Sequence, residues 1–131
     1  MYSEISNSLK VTVIPSFMDE LSSSADHTYI WSYNIVLENL SDITVQLISR
    51  YWQIIDEIGQ VQEVRGEGVV GQQPLLNPGE AFEYTSHTQL TTESGIMLGK
   101  YIMIKKSNGE EFTINIPAFS LDISDKKNLI N

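Results

Sequence analysis

Cysteine, basic residues and long apolar runs are all scarce in this sequence. The absence of cysteine excludes a disulfide framework, a thiolate zinc site, an iron–sulfur cluster and a cysteine nucleophile. Eight basic residues stand against seventeen acidic ones, and the net charge of -9 disfavours nucleic acid as a partner because it repels the phosphate backbone. No stretch approaches the roughly 18 apolar residues of a membrane span, and the amino terminus, with Glu4, lacks a secretory pattern. We therefore expect no membrane insertion and a cytoplasmic location.

The sequence does contain enough apolar material for one folded domain. Its 131 residues are 41% hydrophobic and only 19% charged, which is typical of a globular chain that buries a single core. We predict one domain over residues 1–131, with an ordered core at about residues 9–121. Residues 122–131 have little apolar content and are expected to fray.

Alternation of apolar and polar residues predicts strands and little helix. In the clearest run, every second residue from Tyr29 to Leu37 is apolar. Further strands are predicted around residues 11–13, 43–54, 61–64, 82–84, 101–104 and 112–116. About seven short strands without intervening helices favour an all-β fold, an antiparallel β-sandwich of two sheets, with a small closed barrel as the alternative.

Two local features refine this prediction. The apolar positions change phase between Leu47 and Trp52, which predicts a β-bulge between residues 48 and 51, with Ser49 or Arg50 as the extra residue. Asn108-Gly109 is a strong signal for a hairpin turn.

The segment 65–71 is the most conspicuous motif because its glycines have the spacing G-x-G-x-x-G of a dinucleotide-binding turn. Its candidate phosphate-binding or partner-binding residues are Arg65, Gly66, Gly68, Val69, Val70 and Gly71. That motif needs a following helix, whereas two prolines follow here within residues 72–79. We therefore interpret the segment as a structural loop in which at least one glycine has a positive φ angle. A phosphate nest and a partner-binding loop are the alternatives, and the two adjacent valines favour the partner.

Neither a metal site nor a catalytic site is indicated. The only histidines, His27 and His87, lack metal-binding spacing, and the acidic residues of loop 19–27 are interpreted as solvated, with a weak cation site as the alternative. There is no Gly-x-Ser-x-Gly elbow or other specific nucleophile motif. We predict no catalytic residues, no metal and no cofactor, and hence no enzyme.

The chain closely resembles the ApaG family of small bacterial proteins over nearly its whole length. The motifs that carry the resemblance lie at residues 45–52, 63–74 and 77–86 and in Gly95-x-Met97-x-Gly99-x-Tyr101-x-Met103. The resemblance implies an immunoglobulin-like or fibronectin type III-like sandwich. In such a sandwich Tyr101 would form a tyrosine corner and bond to upstream backbone. The family is associated with cobalt resistance and magnesium efflux, without an established enzymatic activity, and similar domains in eukaryotic F-box and polymerase-delta-interacting proteins imply protein–protein interaction.

Two functions follow as hypotheses. The first is a non-enzymatic protein-interaction module, linked through its family to divalent-cation homeostasis, with an unknown protein partner and a homodimer through sheet edges as a further expectation. The alternative is a nucleotide-binding or pyrophosphate-binding protein, or a hydrolase, that uses the loop from Gly66 to Gly71.

Overall fold

A computed structural model describes residues 1–123, so the predicted frayed tail lies, apart from Asp122 and Ile123, outside the described residues. The described chain consists of nine strands and one short 3₁₀ helix, Asp19–Leu21. The strands are β1 Tyr2–Ser6, β2 Leu9–Phe17, β3 Tyr29–Asn39, β4 Val45–Asp56, β5 Val61–Glu67, β6 Leu75–Leu76, β7 Ala81–Leu90, β8 Ser94–Lys105 and β9 Glu111–Asp122.

The strands form two antiparallel sheets. One sheet has the order β1-β2-β3-β7, and the other has the order β5-β4-β8-β9, with β6 paired to the start of β4. The predicted all-β, two-sheet antiparallel sandwich is confirmed. Residues 1–123 form nine strands instead of about seven, because β1 and the two-residue β6 were not predicted. β1 also precedes the expected start of the core at residue 9.

The core lies between the sheets and follows from the alternation in the sequence. Every odd residue of β3, from Tyr29 to Asn39, is buried and every even residue is partly exposed, so one face of the strand is apolar. Tyr33 from β3 packs against Trp52 and Phe119 of the other sheet, with ring centroids 5.4 and 6.0 Å away. Such tilted and edge-on ring pairs add to the stabilisation that burial provides.

The predicted bulge in β4 is present but one residue earlier than expected. Leu47 pairs with Met103 and Ser49 pairs with Ile102, which leaves Ile48 as the extra residue in place of Ser49 or Arg50. Odd residues of β4 face the core before the bulge, and even residues face it afterwards. Arg50 therefore points toward the interior of the sandwich, on the same face as Trp52.

Two of the hairpin turns both contain residues with positive φ, but only one of these turns contains glycine. The predicted hairpin at Asn108-Gly109 joins β8 to β9, and Gly109 has a φ of 72°. β1 and β2 are joined by a two-residue turn in which Asn7 and Ser8 have φ angles of 48° and 61°. Because such turns usually contain glycine, this hairpin is difficult to predict from the residues of the turn.

The two sides of the sandwich differ. On one side β1 and β2 pack against β9, and the Tyr2 hydroxyl lies 2.8 Å from Ser120 Oγ. On the other side the edge strands β7 and β5 lie apart, and recesses open between them. This open side contains the candidate site.

Candidate functional site

A groove runs along the open side of the sandwich between the edges of β7 and β5. It consists of three adjoining recesses of about 490, 320 and 280 Å³, and neighbouring recesses share lining residues. We call it the edge groove; from one end to the other it is lined by Gln60, Gln89, Ile54, Trp52, Arg50 and Val70. Its lining combines apolar side chains, among them Ile54 and Trp52, with polar ones, among them Arg50 and Gln89.

Arg50 is the one lysine or arginine in the lining of these three recesses. Its Nη1 donates hydrogen bonds to the backbone carbonyls of Glu67 (3.1 Å) and Gly68 (2.8 Å). A Cβ atom on Gly66 would lie 2.8–2.9 Å from three atoms of the guanidinium group, so the flat side of Arg50 rests on this glycine. The first glycine of the motif is thus explained by its contact with a side chain of the same protein.

Three tyrosines extend from the recess beside Arg50 into the core. Tyr33 and Tyr84 line that recess, and the Tyr84 hydroxyl contacts the buried Tyr101 hydroxyl. Burial raises the pKa of Tyr33, against smaller lowering effects from the Ser86 side chain and the Arg50 charge. Burial likewise raises the pKa of Tyr84 and of Tyr101. All three phenols are therefore neutral at pH 7.

The expectation that the Tyr101 hydroxyl bonds to upstream backbone in a tyrosine corner is wrong. Its hydroxyl lies 2.5 Å from the hydroxyl of Tyr84, so its partner is a side chain of the opposite sheet instead of upstream backbone. Tyr101 is fully buried, and a buried hydroxyl needs a hydrogen-bond partner. Because Tyr84 extends from β7 into the same space, it provides that partner.

The structure separates Arg65 from the other residues predicted for the 65–71 segment. The Arg65 side chain is 71% exposed on the outer face of the sheet, where it pairs with Glu63 at 3.3 Å and stacks 4.4 Å from the centre of the Tyr51 ring. Val69 is buried, at 1% exposure, whereas Val70 is 52% exposed. Gly66, Gly68, Val69, Val70 and Gly71 all lie against Arg50 or line the edge groove.

The segment closes as a tight turn between Val69 and Gln72, whose backbone groups form two hydrogen bonds with each other. Gly68, Val70 and Gly71 have φ angles of 63°, 43° and 79°, which confirms that at least one glycine of the motif has positive φ. The amides of Gly68, Val69 and Gln72 already donate to backbone carbonyls, and the next element is the strand β6. A dinucleotide turn instead directs unpaired amides and a helix N-terminus at the phosphates.

The acidic residues and histidines do not form a metal-binding cluster within residues 1–123. Within residues 1–123, no group of three or more histidine, aspartate or glutamate side chains converges in a way that could hold a metal ion, and this part of the chain includes loop 19–27. His87 lies at the rim of the edge groove. None of the helical structure in the described region has the length and apolar character needed to cross a bilayer.

Sequence reasoning did not identify Arg50, Tyr33, Trp52 or Ser86 as site residues. The phase change in β4 was the available signal, because it places Arg50 on the face of Trp52 once Ile48 is taken as the extra residue. The meeting of Tyr33 and Ser86 depends on the pairing of β3 with β7, where Tyr33 lies opposite Ser86. That pairing is not readable from local alternation.

Comparison with known proteins gives consistent results. A family profile described as the ApaG domain matches residues 19–105. Protein ApaG of Brucella canis is 48% identical over 131 residues and Protein ApaG of Bradyrhizobium sp. (strain ORS 278) is 53% identical over 131 residues, and each match covers 100% of both chains. The crystal structure of the ApaA protein from Bordetella pertussis has a TM-score of 0.84 and 45% identity, and covers 87% of this chain and 92% of its own.

Proposed function

The chain belongs to the ApaG family, and we propose on this premise that it is a non-enzymatic interaction domain that binds an extended segment of a partner protein along the edge of β7. The added segment would pair with β7 as a further strand and cover the edge groove. Main-chain hydrogen bonds would then provide affinity, and side chains directed into the groove would provide specificity.

The observation that carries this proposal is the composition of the four sheet edges. β1 has only five residues, β9 contains Pro117 and a register shift, and β5 has three charged residues, Glu63, Arg65 and Glu67. Short length, proline, bulges and charges are the features that prevent edge strands from pairing with other chains. β7 has ten residues in unbroken register with β3, one charged residue and no proline or lysine. It is the edge best suited to accept another strand.

Val70 supports the same location. It is a β-branched residue with a positive φ angle, a conformation that costs on the order of 1–3 kcal/mol, and its side chain is half exposed at the end of the edge groove. Asparagine or glycine would fit this turn with less strain. A strained, exposed apolar residue is most simply explained by contact with a partner, which is the partner-binding alternative for the 65–71 segment.

Any part in divalent-cation homeostasis would then depend on the partner. A cation-transport or regulatory protein that supplies the extended segment would connect this domain to cobalt or magnesium without a metal bound here. A second copy of the chain is the competing occupant, because two β7 edges could pair with each other.

The proposal is tested by selecting a phage-displayed library of random decapeptides on three immobilised full-length proteins: the natural chain, Thr88→Lys and Thr12→Lys. Both threonines are half-buried residues of the same sheet, but Thr12 lies on β2, which is paired on both sides. We expect enriched peptides with the natural chain and Thr12→Lys, and at least tenfold weaker enrichment with Thr88→Lys, since an edge lysine opposes strand addition.

Amide hydrogen exchange of the natural chain with an enriched peptide provides a readout that needs no variant. Strand addition predicts slower exchange of alternate β7 amides, because new main-chain hydrogen bonds protect them. Failure to enrich any peptide, or protection confined to another strand, would contradict the proposal. Sedimentation showing a dimer that Thr88→Lys dissociates would identify the second copy as the occupant and overturn the peptide proposal.

A further inference from the structure

The middle of the edge groove differs in charge from the rest of this acidic protein. The chain has a net charge of -9, yet the central recess has Arg50 in its lining and no carboxylate. Asp56 lines only the recess at one end, and Glu67 only the recess at the other. A positive group in an otherwise acid-free recess favours an anionic ligand group.

Arg50 also has hydrogen-bond donors that have no partner within residues 1–123. Within residues 1–123 the ion pairs are Arg65 with Glu63 and Lys105 with Glu110, so no carboxylate of this region pairs with Arg50. Only its Nη1 has hydrogen-bond partners there, the two loop carbonyls. Every buried side-chain nitrogen and oxygen in the described region has a partner, so the partnerless Nε and Nη2 of Arg50 are not buried.

The position of Arg50 suits the side chain of an added strand. A strand paired to β7 would lie about 4.8 Å beyond it, over the groove, with every second side chain directed between the sheets. Ser86 of β7 and Arg50 of β4 line the same two recesses. A side chain opposite Ser86 would therefore approach the guanidinium group, whose planar donors match a carboxylate.

We infer that Arg50 is the specificity-determining residue of the edge groove and binds the carboxylate of an aspartate or glutamate side chain in the partner segment. This inference rests on the proposed strand addition at β7 and identifies the partner's chemistry. The hydrogen bonds that Arg50 donates to the Glu67 and Gly68 carbonyls orient its side chain. Because Gly66 has no side chain, the guanidinium group has room to lie flat against it.

The test compares decapeptides selected on the natural chain with those selected on Arg50→Gln and on Arg65→Gln, the matched loss of an exposed outer-face arginine. We expect one acidic residue at a fixed position among peptides from the natural chain and from Arg65→Gln, and none from Arg50→Gln. Replacing that peptide residue by its amide should weaken binding to the natural chain about 10- to 100-fold. The same replacement should not change binding to Arg50→Gln.

The outcomes separate this inference from the proposed function. If the enriched peptides slow the exchange of β7 amides but show no preference for an acidic residue, the role inferred for Arg50 is overturned. Strand addition at β7 would still be supported by that result. Failure to enrich any peptide would overturn both. If Arg50→Gln does not fold, the acid-to-amide exchange in the peptide decides the matter with the natural chain alone, and equal affinities for the two peptides would overturn the inference.

Discussion

At the scale of single residues, the three glycines of the 65–71 segment have three different structural reasons. Gly66 makes room for the Arg50 guanidinium, whereas Gly68 and Gly71 have positive φ angles. A Cβ atom on Gly68 would also collide with the backbone oxygen of Gln72, while one on Gly71 would meet nothing within 4 Å. The motif spacing therefore reflects the path of a turn over the β4 bulge, where Gly68 donates to the Ile48 carbonyl.

Alanine substitutions separate these reasons. Gly71→Ala should lower the free energy of unfolding by about 1 kcal/mol, because only the left-handed backbone opposes its Cβ. Gly68→Ala should lower it by at least about 2 kcal/mol, because a backbone collision is added to the same conformational cost. Urea unfolding monitored by tryptophan fluorescence measures both values. Equal losses for the two variants would show that the collision at Gly68 is relieved at no cost.

At the scale of elements, the two outer strands of the four-stranded sheet have opposite roles. β1 closes one side of the sandwich: Tyr2 packs on Phe119 with ring centroids 6.0 Å apart, and Ser6 Oγ accepts a hydrogen bond from the Asn115 amide. β7, at the other edge, has no comparable cover within residues 1–123. The difference explains why the groove lies beside β7.

Tyr2→Ala tests the contribution of β1 to the folded core. Removing this ring should lower the free energy of unfolding by about 2 kcal/mol, because Tyr2 packs partly buried against β9. Ile5→Ala on the same strand is the matched control, since Ile5 is 60% exposed, and should change stability by less than about 0.5 kcal/mol. Chemical denaturation of both variants measures the difference. A Tyr2 variant as stable as its control would mean that β1 is dispensable.

At the scale of the whole molecule, neutral phenols connect the sheets beside Arg50. Tyr33 and Tyr84 come from one sheet and Tyr101 from the other, and burial raises the pKa of each. An unfolded tyrosine has a pKa of about 10. Above that pH the unfolded chain loses phenolic protons that the folded chain retains, so rising pH favours unfolding.

Alkaline unfolding should therefore be steeper than in a variant that lacks one of these phenols. Below pH 10 the stabilisation that these phenols give the folded state is fully present. Above pH 10 each of these tyrosines lowers the free energy of unfolding by up to about 1.4 kcal/mol per pH unit. Between pH 10 and 11, Tyr84→Phe should make the free energy of unfolding fall less steeply with pH, by up to about 1.4 kcal/mol per pH unit. Urea unfolding from pH 7 to 11 measures it, with pH 7 as the baseline for each protein. Parallel curves for the two proteins would contradict the assignment.

The two-sheet, all-β architecture and the positive φ in the glycine-rich segment could both be predicted from the sequence. Both are local: alternation with a period of two defines which face of a strand is buried, as in β3, and a glycine-rich turn is recognisable from its own residues. The phase change in β4 was also legible, although the extra residue proved to be Ile48.

Which side chains meet depends on the three-dimensional packing of the strands and could not be predicted. Tyr101 meets Tyr84 instead of backbone, Arg65 lies on the outer face, and Arg50 faces the groove. These results depend on strand order, on register and on the position of one bulged residue, and a shift of one residue moves every following side chain to the other face. Contacts between distant strands carry no local periodic signal. The site was therefore set by how the two sheets pack, whereas the existence of the sheets was set by the sequence pattern.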